Sequence, residues 1–123
     1  MATQPEQLRE RTKQFAIRIV RFFRGLPKTD EARIMGKQLL RAGTSVAANY
    51  RAVCRTRSRA EFISKMGVVV EEADETVSWL EMLVETGVLP GPRMEQLPAE
   101  ADELLAILAA SQRTARAGGR QLN

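Results

Sequence analysis

Arg33, Lys37 and Arg41, followed by Arg51, Arg55 and Arg59, recur at helical spacing, and Arg57 falls among the last of them. Arginine's planar guanidinium pairs bidentately with phosphate as well as with carboxylate, so such a row is suited to holding an anion. On one continuous helix it would be about 39 Å long at 1.5 Å per residue. That length meets several phosphates of a nucleic-acid backbone, and binding of that kind weakens steeply with salt. Arg11, Arg18 and Arg21 form a shorter basic line nearer the N-terminus.

A second row has the opposite sign. Glu71, Asp74, Glu81 and Glu85, with Ser78 between them, also share one face of a helix. Residues 1–60 hold 14 Lys and Arg against 4 Asp and Glu, and residues 61–123 hold 5 against 11. Two such rows can meet within the chain or across a subunit boundary, where they would set register more than affinity. The charge pattern leaves three readings open: pairing between the rows, contact with nucleic-acid phosphate, and plain solvation. Base-specific readout has no support, because the nearby aromatics, Tyr50 and Phe62, belong to the apolar side.

Other chemistry is poorly supplied. The chain has no histidine, which removes the commonest general base, the Ser-His and Cys-His nucleophiles and the usual zinc and di-iron ligand sets. No catalytic residue, cofactor or metal is implied, and the reading is of a protein that is not an enzyme. Glu71, Glu72, Asp74 and Glu75 form an acidic cluster, but the paired carboxylate sites of helical bundles require Glu-x-x-His, which is absent. The single cysteine, Cys54, excludes an internal disulfide and reads as a small buried hydrophobe in a reducing cytoplasm. No signal-peptide core or membrane-length apolar run is present, so the expected location is cytoplasmic, away from the membrane. Trp79, with Val68 and Met82, reads either as an apolar association surface or as a patch covered by the fourth helix. Asn49, on the apolar side of its helix, is expected to be a buried amide that sets register or caps a neighbouring backbone group.

These residues need helices to position them. Gly25 to Pro27, Cys54 to Ser58 and Gly87 to Pro92 break the chain into four segments. The first has its apolar stripe at Leu8, Phe15, Ile19, Phe22 and Leu26, and the second at Met35, Leu39, Ala42, Val46, Asn49 and Val53. In the third, Ser58 and Glu61 make a capping box, Phe62, Met66, Val69, Ala73, Thr76, Leu80 and Leu83 form the stripe, and Gly87 closes it. The fourth uses Leu97, Ala101, Leu104, Leu108, Ser111 and Ala115. The pattern predicts an all-α fold: one domain over residues 1–123, an antiparallel up-down-up-down bundle with helices at about 6–24, 30–56, 59–86 and 94–117, and a frayed tail from 118 to 123. Gly43 and Gly67, costly inside helices, call for a packing reason.

The order and spacing of Leu40-Arg41-Ala42, Ser45-Val46-Ala47-Ala48-Asn49-Tyr50, Arg57-Ser58, Glu61-Phe62-Ile63 and Glu75 resemble the bacterial family of proteins encoded in 23S ribosomal RNA intervening sequences, also called S23 ribosomal proteins. The resemblance implies a left-handed bundle and a homopentamer around a central channel. It also implies kinship with accessory subunits of diversity-generating retroelements, which bind a reverse transcriptase and nucleic acid through a basic surface. The family often reads Asn-Ile-Ala-Glu-Gly where this chain has Asn49-Tyr50-Arg51-Ala52-Val53, so an acid is lost and a cation gained. The expected partners are copies of itself, RNA or DNA backbone, and a nucleic-acid enzyme. The alternative is a purely structural oligomer in which the basic row meets Glu71, Asp74, Glu81 and Glu85 of a neighbour, with Trp79 and Met82 in the interface.

Overall fold

Threonine and serine side chains start the first three helices. The structure is a computed structural model that describes residues 3–88 and 96–122, with side chains through residue 118. Helix α1, Gln4–Arg24, opens on Thr3, whose hydroxyl accepts from the Glu6 N–H while the Glu6 carboxylate accepts from the Thr3 N–H. That reciprocal cap starts the helix slightly ahead of the expected boundary, and Thr3-x-x-Glu6 was its sequence signature. Helix α2, Asp30–Val53, is capped by Thr29 and has Asp30 and Glu31 in its first turn, where the helix dipole favours negative charge.

Helix α2 stops at Val53 instead of continuing to 56. The chain must reverse before the Ser58 cap, and it does so through tightened bonds from the Arg55 and Thr56 N–H groups to the Ala52 and Val53 carbonyls. Helix α3, Arg59–Glu85, begins on Ser58, whose hydroxyl accepts from Glu61 at 3.1 Å. Only half of the expected capping box forms, because the Glu61 carboxylate accepts from the Arg57 N–H and not from Ser58. Gly87 follows the end of α3 at φ 72°, a left-handed conformation that suits glycine. The Pro90-Gly91-Pro92 turn and the expected start of the last helix at 94 lie outside the described residues. Helix α4, Gln96–Leu122, continues through Gly118, where fraying was expected. No proline interrupts that segment, so the hydrogen-bond ladder carries on across its two glycines in spite of their low helix propensity.

The four helices form an all-α bundle in which sequence neighbours pack together and α4 returns to α1. Phe15, Val46, Ala73, Thr76, Ala101 and Leu104 bring all four helices to one level of the core. Ile19, Leu39, Met66, Val69, Leu80, Leu83 and Leu108 are fully buried there. Burial of side chains this size contributes roughly 1.5–3 kcal/mol each, which makes the apolar stripes the main source of stability. The stripes hold with exceptions: Phe22, Phe62, Ser111 and Ala115 are only half-buried, and Thr12 occupies the gap between Leu8 and Phe15. Thr12 and Thr76 are buried polar residues whose hydroxyls donate to the Arg9 and Glu72 carbonyls within their own helices.

Gly43 has a packing reason, whereas Gly67 faces only a flexible side chain. A Cβ on Gly43 would come within 3.0–3.3 Å of three atoms of Ile19, so its absence lets α1 approach α2. At Gly67 the neighbour is the Gln112 amide, which reaches from α4 to donate to the Ile63 carbonyl at 3.1 Å.

Candidate nucleic-acid interface

The basic row is not one continuous line. Since α2 ends at Val53, Arg55 lies in the turn and Arg59 is the first residue of α3. The ideal-helix spacing fails there because the backbone changes direction. Arg51, Arg55, Arg57 and Arg59 consequently gather around the α2–α3 turn, and all four are exposed. Arg33 and Lys37 remain exposed near the other end of α2, where the Arg33 guanidinium donates to the Lys28 carbonyl.

Arg41, between the two groups, is engaged by α3. Its guanidinium donates to Glu72 at 3.1 Å and to Glu75 at 2.8 Å. The Glu75 hydrogen bond is the main influence that raises the Arg41 pKa. The acids are therefore Glu72 and Glu75, one face round from the row of Glu71, Asp74, Glu81 and Glu85, whose members stay exposed. Arg11 behaves likewise. It holds Glu100 of α4 in a two-point contact at 2.9 and 2.7 Å and reaches Glu103 at 3.1 Å. The Arg11 hydrogen bond holds the Glu100 carboxyl below its ordinary range, and the charge of half-buried Arg18 acts in the same direction. Arg21 is exposed. Among the described residues, Arg11 and Arg41 are the cations with carboxylate ion pairs.

Glu72 and Glu75 lie on the face of α3 that also carries Val68, Trp79 and Met82. Trp79 is half-buried and packs on the core, whereas Val68 and Met82 are 44% and 42% exposed. Because α2 and α3 are antiparallel and Arg41 fixes their register, Ile34, two turns before Arg41, stands level with Trp79 and Met82. Ile34 is 64% exposed. The exposed large apolar residues thus share the α2–α3 face with the Arg41 ion pair.

Two expectations at the end of α2 need correction. Asn49 is half-buried instead of buried, and its amide donates to the Ser45 carbonyl one turn back, so of its two expected roles it takes the neighbouring backbone group and not the register. Tyr50 takes the core position and is 4% exposed. Burial pushes its hydroxyl up to about 12, and the neighbouring Cys54 thiol acts in the same direction. Cys54 is exposed instead of buried, because it caps the helix at the point where the chain leaves the core. Among the described residues, no group of acidic or cysteine side chains converges as a metal site, and no helix is long and apolar enough to cross a membrane.

The 23S rRNA-intervening sequence protein family model matches residues 6–110. Among solved structures, a protein of unknown function from the S23 ribosomal protein family of Bacteroides thetaiotaomicron is 32% identical, with a TM-score of 0.82. The match covers 90% of this chain and 99% of that one. No curated protein matches the chain. The fold, the matched span and the solved relative agree: this chain belongs to the 23S rRNA-intervening sequence protein family.

Proposed function

We propose that this chain is a non-enzymatic, self-associating bundle that binds nucleic-acid backbone without reading sequence, through Arg51, Arg55, Arg57 and Arg59. One contrast carries the reading. Arg11 and Arg41 pair with the carboxylates of adjacent helices, while the four arginines of the α2–α3 turn are exposed and have no ion pair among the described residues. Unpaired guanidinium groups crowded on one turn repel each other, and a phosphate backbone relieves that repulsion. Arg33 and Lys37 offer a separate contact, and a nucleic-acid enzyme such as a reverse transcriptase is the protein partner this role admits. Binding of RNA and DNA, measured at several salt concentrations, tests it. Changing Arg51→Glu together with Arg55→Glu should weaken binding at low salt and flatten the salt slope by about 2, one phosphate contact per arginine. Absence of binding by the native chain at low salt would end the reading.

The exposed acids of α3 favour a second reading. Glu71, Asp74, Glu81 and Glu85 have no ion pair among the described residues. A neighbouring copy presenting its turn arginines would neutralise both rows, with Ile34, Val68 and Met82 supplying apolar contact. The resemblance to pentameric relatives makes five copies the assembly to test first. Loss of self-association in the same double variant would identify the arginines as interface residues.

A further inference from the structure

At the end of the bundle remote from the four arginines, the α1–α2 connection encloses an open cleft of about 400 Å³. Phe23, Leu26, Pro27 and Ala32 give it an apolar lining, and Arg24, Lys28, Arg33 and Lys37 supply four cations. No carboxylate lines it, and none of the four cations has an ion pair among the described residues. The cleft depends on a glycine. A Cβ on buried Gly36 would meet Leu26 at 2.5 Å and the Phe23 ring at 3.2 Å, so both side chains settle against α2 only because that atom is missing. The ring is thereby held in place, half-buried and in contact with the core.

We infer that this cleft is a nucleotide site, taking a planar base against Phe23, Leu26 and Pro27 and a polyphosphate on Arg24, Lys28, Arg33 and Lys37. Its volume falls within the roughly 300–1,000 Å³ range of small-ligand sites, and an apolar lining with a few charged groups at one side is their usual composition. Four unpaired cations match the charge of a triphosphate, and an aromatic ring beside them accounts for a base better than for a bare anion. The ligand is either a free nucleoside triphosphate or the 5′-triphosphate end of an RNA strand, which present the same chemistry. This inference goes beyond the strand-binding reading: the cleft shares Arg33 and Lys37 with it, but none of the α2–α3 turn arginines that carry it.

The test titrates the full chain in magnesium-free buffer with ATP, with inorganic tripolyphosphate, and with one short RNA carrying either a 5′-triphosphate or a 5′-hydroxyl. ATP should bind more tightly than tripolyphosphate. Arg33→Glu with Lys37→Glu should weaken ATP at least about tenfold, since two charge-assisted contacts are lost. The charge-matched pair Lys65→Glu with Arg113→Glu should leave ATP binding in place. Phe23→Leu keeps apolar volume and should narrow the preference for ATP over tripolyphosphate, and an unchanged thermal unfolding curve establishes that the fold is intact. Displacement of ATP by the triphosphorylated RNA but not by its 5′-hydroxyl form would identify a strand end as the ligand, and no displacement would identify the free nucleotide. ATP binding without strand binding retains the cleft and ends the backbone reading. Strand binding without ATP binding, or tripolyphosphate binding as tightly as ATP, overturns the nucleotide site.

Discussion

Arg11 and Arg41 make similar ion pairs in different settings. Arg41 and Glu75 are each 46% exposed, so solvent screens the pair and it adds little to stability. Arg11 grips Glu100 at two points, and the Glu100 side chain is only 20% exposed. The folded state lowers the Glu100 pKa, so the stability it contributes is present above the ordinary carboxylate value of about 4.3 and is lost as pH falls through the lowered one. Glu100→Gln should therefore cost about 1 kcal/mol at neutral pH, with the difference from the native chain closing in strong acid. Urea midpoints at both pH values check this, and an equal loss at both would place the effect in packing. The choice of partner was not legible in the sequence. A helical wheel gives the angle of Arg41 and of each acid, but not which face of α3 turns toward α2.

At the level of the helix, Gly43 and Gly67 make opposite predictions. The atoms facing Gly43 belong to Ile19, a buried, β-branched side chain that has little rotamer freedom. Gly43→Ala should then destabilise by roughly 1–2 kcal/mol, since overpacking outweighs the gain in helix propensity. The atom facing Gly67 is the end of flexible Gln112, so Gly67→Ala should be neutral or gain up to about 1 kcal/mol. Denaturant unfolding of both variants decides, and the same sign for both would refute the argument. Periodicity read the four helices well because the buried stripes recur where the wheel puts them, from Leu8 to Leu108. It failed at the ends, where a local hydrogen bond outweighs pattern. Thr3 and Glu6 advance α1, and the turn after Val53 cuts α2 short and gathers Arg51, Arg55 and Arg59 around itself instead of leaving them on one line.

For the whole molecule, the question is what covers the α2–α3 face. Ile34, Val68 and Met82 remain exposed around the Arg41 pair, and a second copy is the proposed cover. Ile34→Glu with Met82→Glu should shift the sizing profile to monomer while helical content stays native, because both side chains lie outside the core. A native chain that sizes as monomer at every concentration would remove self-association altogether. The expected apolar surface of Val68, Trp79 and Met82 was partly legible in the sequence. The part contributed by Ile34 was not, since it arises only when two helices are set side by side in one register.

Cys54 has a practical consequence. It is the chain's single thiol, exposed at the cap of α2 and close in sequence to Arg51, Arg55 and Arg57. One maleimide dye attached there would report from the α2–α3 turn, and the α1–α2 cleft at the opposite end would carry no label. A dye response to strand but not to ATP, set beside label-free titrations, would then assign each ligand to its own end of the bundle.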